Sequence, residues 1–340
     1  MSTSRLARPP AHPFARHSTQ QGVALLTILL MVAMATILAA GLMARQQRFV
    51  RETSVLLRQD QAMQYALAGE SFLIELLAAD QRTSAKHDSL DEVWAQPTPP
   101  YPVEDGVVTG QLFDQSGRFN LNNLYHDGKA DPVANALFGR LLVRAGLSAD
   151  LADAVMDWQD PDDTATGASG AESSFYLGQQ PSYRAANRPF DDVSELQQVR
   201  GFEDPAVFAK ISPYVMAVPS FAPININTAQ GMLLAALDET IDLDAANKWA
   251  TERDDTKQPL DEPAALWNAS ALNTVTTEKR SAVSPFLAVT SQFYRAEVQV
   301  SLSNRMRYLS SQLYRKDSAV YCYRRSLAPI PNKAPEPEKL

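Results

Sequence analysis

The feature that most constrains this chain is an uncharged stretch near its N-terminus. Val23 to Ala44 are 22 consecutive residues without a charged side chain. A helix rises 1.5 Å per residue, so the stretch spans about 33 Å and matches the roughly 30 Å hydrocarbon core of a bilayer. It predicts one transmembrane helix (residues 23–44), and the rest of the chain has to fold beside a membrane anchor.

Basic residues lie on both sides of this stretch. Those in the polar segment before it and those just after it are Arg5, Arg8, Arg16, Arg45, Arg48 and Arg51. The positive-inside rule, by which basic residues favour the cytoplasmic side, therefore does not decide the orientation of the helix by itself. A removable secretory signal has a shorter apolar region, so the simplest interpretation at this point is an uncleaved signal anchor.

The helical pattern continues beyond the membrane. Residues 45–79 contain no proline and one glycine, Gly69, and their apolar residues recur at helical spacing. We expect an amphipathic stalk helix over residues 45–96. Four prolines between Pro97 and Pro102 then predict its end and a linker.

Strand patterns occur in two separate parts of the remaining chain. Val107 to Asp114 form the first, and the segments 294–302, 305–315 and 319–326 form the second, with alternating apolar and polar residues. Helix patterns fill the interval between them. The predicted fold class is α+β: a long N-terminal helix packed on a small antiparallel sheet (residues 97–122 and 286–328), with a large inserted all-helical domain (123–285). Residues 329–340 hold four prolines and almost no apolar residue, which predicts a disordered tail.

The charge and the residue composition exclude some classes of function. The formal net charge is -8, and residues 127–204 contain 14 acidic against 6 basic residues. Such a surface repels a phosphate backbone, so we expect no nucleic acid as partner and instead a metal ion or a basic protein. The single cysteine, Cys322, forms no intramolecular disulfide. The four histidines have no ligand or triad spacing, and no phosphate loop or nucleophile elbow occurs, which predicts that the chain is not an enzyme.

One acidic cluster is a candidate metal site. Its five members are Asp157, Asp160, Asp162, Asp163 and Glu172. Clustered carboxylate oxygens on a loop suit calcium, which takes 6–8 oxygen ligands in irregular geometry. The spacing is not that of an EF-hand, because Ala165 and Ala171 occupy the positions that would need glycine and glutamate. A solvated acidic turn is the alternative.

The segment Gln20-Gln21-Gly22-Val23-Ala24-Leu25-Leu26 resembles a class III, prepilin-type leader. That resemblance implies cleavage by a prepilin peptidase between Gly22 and Val23, which leaves residues 1–22 as the leader. The fifth mature residue is then Thr27, where most members of the superfamily have glutamate. In those members the glutamate neutralises the N-terminal ammonium of the next subunit, because an unpaired charge in lipid is costly.

Motifs in the predicted insert resemble those of one branch of this superfamily. They are Phe119 to Leu124, Asp157 to Asp162, Gly170-Ala171-Glu172 with Tyr176, Arg184 to Phe190, Ser194-Glu195-Leu196 with Gly201-Phe202, and Ile224 to Ala229. By these motifs and the leader, the chain is identified as a member of the K-type minor pseudopilins (GspK family) of type II secretion systems.

The resemblance carries several expectations. It implies a single-pass protein of the inner membrane lipid bilayer, with its leader in the cytoplasm and its bulk in the periplasm. It also implies a calcium ion in the helical domain and the minor pseudopilins I and J as partners. The role would be that of a structural subunit at the pseudopilus tip, which helps to initiate assembly for protein export across the outer membrane.

Two other functions remain open from the sequence. Ile224 to Ala229 also resembles the opening of a helix-hairpin-helix module, so a signal-anchored DNA-binding or DNA-uptake protein is the first alternative. The acidic residues that follow it, Asp238 to Asp244, oppose phosphate binding. A calcium-dependent periplasmic enzyme on a signal anchor is the second alternative.

Overall fold

The computed structural model describes residues 20–83, 86–303, 305–317 and 319–328. Within them the α-helices are α1 Gln20–Thr83, α2 Pro132–Arg144, α3 Leu151–Asp157, α4 Ser173–Tyr176, α5 Pro205–Ile211, α6 Gly231–Ala235, α7 Leu243–Thr256 and α8 Thr277–Val283. The strands are β1 Tyr101–Val103, β2 Gly106–Asp114, β3 Phe119–Asn120, β4 Tyr125–His126, β5 Lys129–Ala130, β6 Val215–Met216, β7 Ile224–Asn225, β8 Leu287–Ala288, β9 Phe293–Leu302, β10 Arg305–Lys316 and β11 Ala319–Ser326. The predictions for the leader before Gln20 and for the tail from Pro329 lie outside these residues.

The chain divides into two compact units, Met1–Gln61 and Ala62–Leu340. In the first, the described residues form the N-terminal part of α1, whose most apolar window has a mean hydropathy of 2.7. Its large apolar side chains between Val23 and Met43 are more than half exposed. The helix is therefore long and apolar enough to cross a membrane, as the uncharged stretch predicted.

The C-terminal end of α1 differs from the prediction. The helix ends at Thr83 instead of continuing to residue 96. The chain leaves the helix because residues beyond it make tertiary contacts: the Asp88 backbone N–H donates to the carbonyl of Val289 at 2.8 Å, and Trp94 is buried beside Tyr294. These contacts replace the intrahelical hydrogen bonds that further turns would make.

In the second unit, α1 packs on an antiparallel sheet of five strands in the order β1-β2-β9-β10-β11. Ala66, Leu73 and Leu77 are buried against it. Gly69 allows the close approach, since a Cβ there would lie 2.8 Å from a methyl group of Val298. Buried and partly exposed residues alternate along β9, and the buried ones face the helix, as expected for a sheet with one covered face.

The helical domain is inserted between two adjacent strands of this sheet. The chain leaves the sheet after β2 and returns in β9, and Asp114 is the register partner of Tyr294. The intervening residues form the largest core of the protein, which includes Phe138, Trp158 and Phe202. The predicted fold class, a pilin-like helix and sheet with a large and mainly helical insert, is confirmed. The insert is not all-helical, because the short strands β3 to β8 pair within it as β3-β6, β4-β5 and β7-β8.

Candidate metal site in the inserted domain

Three carboxylates meet where α3 ends and α4 begins. Asp157 is the last residue of α3, and Asp160 lies in the turn that follows. The backbone N–H of Asp160 donates to the Met156 carbonyl at 3.1 Å. Glu172 is the N-cap residue of α4, but its side chain makes no capping hydrogen bond. The usual N-cap residues are the shorter serine, threonine, aspartate and asparagine, and the longer Glu172 side chain makes no local bond to α4.

Asp157, Asp160 and Glu172 form what is called here the carboxylate triad. One oxygen atom from each lies within 4.8 Å of the others. The three residues are only 0, 7 and 2 % exposed. Among the described residues, no ion pair includes any of the three. The triad is thus a buried group of acidic side chains that no described basic side chain neutralises in an ion pair.

The hydrogen bonds within the triad are unevenly distributed. The Asp157 carboxylate accepts from the Thr166 N–H at 3.0 Å. By contrast, Asp160 Oδ1 and both Glu172 carboxylate oxygens are shielded from solvent and accept no hydrogen bond. Buried polar atoms are nearly always satisfied by hydrogen bonds, so three unpartnered oxygens in one cluster indicate room for another binding partner.

The same arrangement shifts the protonation equilibria. Burial, followed by the charges of Asp162 and Asp157, raises the pKa of Asp160 to about 6. Burial and then the charge of Asp160 raise the pKa of Glu172 to about 7. The pKa of Asp157 is also raised by burial, although its hydrogen bonds from Thr166 oppose the shift. Without a cation, the site therefore disfavours its fully ionised form.

The loop between Asp160 and Glu172 is held from several sides. A Cβ at Gly170 would collide with the Asp157 carboxylate and with the backbone of Thr166, so only glycine permits this packing. Arg200 donates to the Gly170 carbonyl at 3.0 Å, and its guanidinium lies 5.0 Å from the centre of the Phe175 ring. These contacts fix the path of the loop, and they would keep the triad in place when a ligand binds or leaves.

The structure brings together three of the five carboxylates that the sequence indicated. Asp162 and Asp163 are exposed and lie outside the triad. One oxygen of Asp162 accepts the Thr164 N–H at 2.7 Å, which is a local turn contact. The two residues contribute negative charge near the triad, and a direct role for them as ligands stays a prediction.

The triad fits a calcium ion. Calcium binds 6–8 oxygens at 2.3–2.6 Å, and carboxylates bind it through one or both oxygens. Three carboxylates with three unpartnered oxygens can provide a large part of that shell, with backbone carbonyls or water completing it. A divalent cation would also neutralise the charges whose mutual repulsion raises the pKa values. Asp157, Asp160 and Glu172 are the residues that would hold it.

Sequence reasoning missed Asn187, which lies beside this loop. Its backbone has a φ of 46°, and its N–H donates to the Trp158 carbonyl at 3.0 Å. Its side-chain Oδ1 is shielded from solvent and has no hydrogen-bond partner. Asparagine tolerates positive φ better than most residues, but the sequence has no signal that would have placed it here, 15 residues beyond Glu172.

A second group of three carboxylates lies at the sheet. One oxygen each from Asp80, Asp88 and Glu92 lies within 4.8 Å of the others. Here Arg315 of β10 provides a cation: its guanidinium pairs closely with Asp88 and lies 3.5 Å from Asp80. Burial, followed by the charges of Glu92 and Asp88, raises the pKa of Asp80 to about 6, although Arg315 opposes that shift.

The Ile224 to Ala229 segment joins the insert to the sheet. Asn225 is fully buried and donates to the Asp88 carbonyl at 2.9 Å, and the Thr228 hydroxyl pairs with Asp114 at the end of β2. The Asn227 side chain exchanges hydrogen bonds with the backbone of Leu260, and α6 begins without a side-chain cap. A buried segment cannot contact DNA phosphates, and the DNA-binding alternative finds no support.

A helix that is long and apolar enough to cross a membrane, a sheet packed on the last turns of that helix and a large insert define the architecture of the pilin class. Family models for type II secretion system protein K match residues 117–220 and 224–290. Protein K of Pseudomonas aeruginosa is 37% identical over 336 residues, which cover 92% of this chain and 96% of the relative. Protein K of Klebsiella pneumoniae is 33% identical over 324 residues, covering 89% and 94%.

A solved structure agrees in fold. The crystal structure of the GspK-GspI-GspJ complex from enterotoxigenic Escherichia coli contains a chain that matches with a TM-score of 0.72 and 22% identity. The match covers 82% of this chain and all of that one. This chain belongs to the type II secretion system protein K family, the minor pseudopilins that its motifs indicated.

Proposed function

We propose that this chain is the tip subunit of a pseudopilus and helps to initiate its assembly together with minor pseudopilins I and J. The structural match to a GspK-GspI-GspJ complex supports the partners. In this proposal the N-terminal helix anchors the chain in the inner membrane, and the residues from the stalk onward lie in the periplasm. The role is structural and needs no catalytic group.

The observation that carries the tip position is the side chain of Thr27. Its hydroxyl donates to the Ala24 carbonyl of the same helix at 2.9 Å. It therefore places no negative charge in the membrane-spanning part of the helix. A subunit without that charge does not attract the N-terminal ammonium of a further subunit, and a chain with nothing above it in the filament has no need to.

An apolar stripe on α1 supports helical partners. Phe49 and Leu56 are seven residues apart, as are Val50 and Leu57, and all four are about 60–70% exposed. Seven-residue spacing places them on one side of the helix, as in coiled coils. Within the first unit, no described residue covers this stripe. We propose that the stalk helices of minor pseudopilins I and J pack on it.

The partner proposal is tested by co-purification of the full chain with I and J from detergent extracts. Changing both Leu56 and Leu57 to Gln should abolish recovery of I and J, because the stripe loses half of its apolar surface. Arg58→Gln is the matched control: Arg58 is exposed on the opposite side of the helix and should leave recovery unchanged. Equal recovery with both variants would reject the stripe as the contact surface.

The leader proposal needs a separate measurement. The mass of the membrane-extracted chain should correspond to a start at Val23 only in cells that contain a prepilin peptidase. A chain that starts at Met1 in both cells would reject cleavage between Gly22 and Val23 and return the protein to a signal anchor.

We also propose that the carboxylate triad binds calcium and that the ion is structural. The unpartnered oxygens of Asp160 and Glu172 and the raised pKa values support this proposal. Binding would join the end of α3 to the start of α4 and stabilise the insert. Calorimetric titration of the chelator-treated full chain with calcium tests it, and absence of binding at millimolar calcium would reject it.

A further inference from the structure

Besides its backbone carbonyl, Asn187 has three polar groups, and one segment of the chain binds two of them. Its backbone N–H donates to Trp158, as described above, and its side-chain Nδ2 donates to the Asp162 carbonyl at 3.4 Å. Both bonds end on residues 158–162, the segment that contains Asp160. The remaining function, the Oδ1 acceptor, is unused and shielded from solvent.

The orientation of this carboxamide follows from its neighbours. Exchanging the oxygen and nitrogen would place Oδ1 against the Asp162 carbonyl, where two acceptors would repel each other. The nitrogen therefore faces the Asp162 carbonyl, and the oxygen has no hydrogen-bond donor among the described residues. A buried acceptor without a partner is unfavourable unless something else binds it.

We infer that Asn187 Oδ1 is a fourth side-chain ligand of the cation at the carboxylate triad. The inference rests on the calcium site proposed above and extends it to a third segment of the chain. Amide oxygens are ordinary calcium ligands, and a neutral one adds an oxygen without adding to the charge repulsion among the carboxylates. The ion would then connect α3, α4 and the segment before Phe190.

A purely conformational role is the competing explanation. Asn187 has a positive φ, and asparagine could be present only because it tolerates that backbone. Two substitutions separate the explanations in the full chain. Asn187→Gly keeps the backbone conformation and removes the oxygen, whereas Asn187→Asp keeps an oxygen and removes the Nδ2 donor.

Calcium affinity, measured by calorimetric titration of the full chain in detergent, gives the test. We expect Asn187→Gly to weaken calcium binding on the order of tenfold or more, in the range typical for losses around a metal centre. We expect Asn187→Asp to bind calcium at least as tightly as the parent chain. Thermal unfolding with a calcium chelator should be nearly the same for the parent and the Gly variant.

Two results would overturn the inference. An unchanged affinity in Asn187→Gly would assign asparagine to the backbone conformation alone. If Asn187→Gly and Asn187→Asp weakened calcium binding equally, the cause would be the lost hydrogen bond to the Asp162 carbonyl, because both variants lack the Nδ2 donor. Both results can be obtained only if the parent chain binds calcium. If the parent chain shows no binding, the calcium site itself is rejected, and this outcome is distinct from the other two.

Discussion

The described residues contain two groups of three carboxylates, and the groups differ in how their negative charge is balanced. At the sheet, Arg315 lies among Asp80, Asp88 and Glu92, and every one of these side chains has a hydrogen-bond or ion-pair partner. In the insert, the carboxylate triad forms no ion pair with any described residue and keeps three unpartnered oxygens. From this difference we expect a metal ion at the triad and none at the sheet, where Arg315 already supplies the positive charge.

The largest expected effect concerns Arg315. Arg315→Gln leaves the carboxylate of Asp88, which is 1% exposed, without its cation. Removing one partner of a buried pair typically destabilises a protein by about 3–5 kcal/mol. Urea unfolding of the full chain in detergent measures this loss.

A matched control uses an exposed ion pair. Arg82 pairs with Glu75 at 2.7 Å, and both side chains are more than half exposed. Arg82→Gln should change stability by less than about 0.5 kcal/mol, because solvent screens such pairs. If the Arg315 and Arg82 variants lost similar stability, the buried carboxylates at the sheet would not depend on their arginine.

The next prediction concerns Glu172→Gln, whose effect on the free energy of unfolding should depend on whether calcium is present. At a calcium concentration of 100 times Kd, the parent chain should gain about 2.7 kcal/mol, and Glu172→Gln should lose that gain. Without calcium, Glu172→Gln should be no less stable than the parent, because it removes a buried charge that has no partner.

Unfolding with and without calcium distinguishes this outcome from a structural role. Glu239→Gln is the control, since Glu239 is 76% exposed in its pair with Lys279 and lies outside the triad. A clear loss of calcium-free stability in Glu172→Gln would show that its carboxylate supports the fold as the Asp88 carboxylate does, and the contrast between the two groups would fail.

The stability of the calcium-free protein should also depend on pH through the carboxylate triad. The pKa values of Asp160 and Glu172 are about 6 and about 7 in the folded protein, above their ordinary values of 3.8 and 4.5. Folding therefore raises proton affinity, and the two groups destabilise the calcium-free protein as pH rises through this window from about 4 to about 7. Calcium binds the ionised form and reverses that sign.

Calcium affinity should consequently rise with pH. Between pH 5 and 7 we expect about a tenfold gain per pH unit for each proton displaced, which equals about 1.4 kcal/mol. Calorimetry in two buffers of different ionisation enthalpy counts the released protons. A flat affinity over this range would mean that the triad is already ionised in the empty site.

The smallest expected effect concerns the exposed acids. Asp162→Asn and Asp163→Asn should weaken calcium binding only a few-fold, about 1 kcal/mol or less, because exposed charges act through solvent. A loss as large as that of Glu172→Gln would make either residue a direct ligand.

Much of the fold follows from local pattern. Strands β9, β10 and β11 alternate apolar and polar residues, and their observed bounds nearly equal the predicted segments. Helix α7 has a weaker sequence pattern, because its three buried residues are two small alanines and a charged arginine. They are Ala246, Ala250 and Arg253, and the Arg253 guanidinium donates to the carbonyls of Ile226 and Ala229.

The site was predictable only in part for a similar reason. Asp157, Asp160 and Glu172 are close in sequence, so counting carboxylates found them together with the exposed Asp162 and Asp163. No local pattern states which side chains a loop turns inward. Asn187 and the Arg315 pair depend on tertiary contacts, which the sequence pattern does not contain.

The position of the insert also affects the order of folding. Strands β2 and β9 are hydrogen-bonded neighbours in the sheet, but residues 115–292 separate them along the chain. Closing so long an unfolded loop is entropically unfavourable and slow. A folded insert holds its two ends together, as the hydrogen bond from the Gln292 N–H to the Ser116 hydroxyl oxygen at 3.1 Å shows. We therefore expect the insert to fold first and to act as a short connection that lets the sheet close.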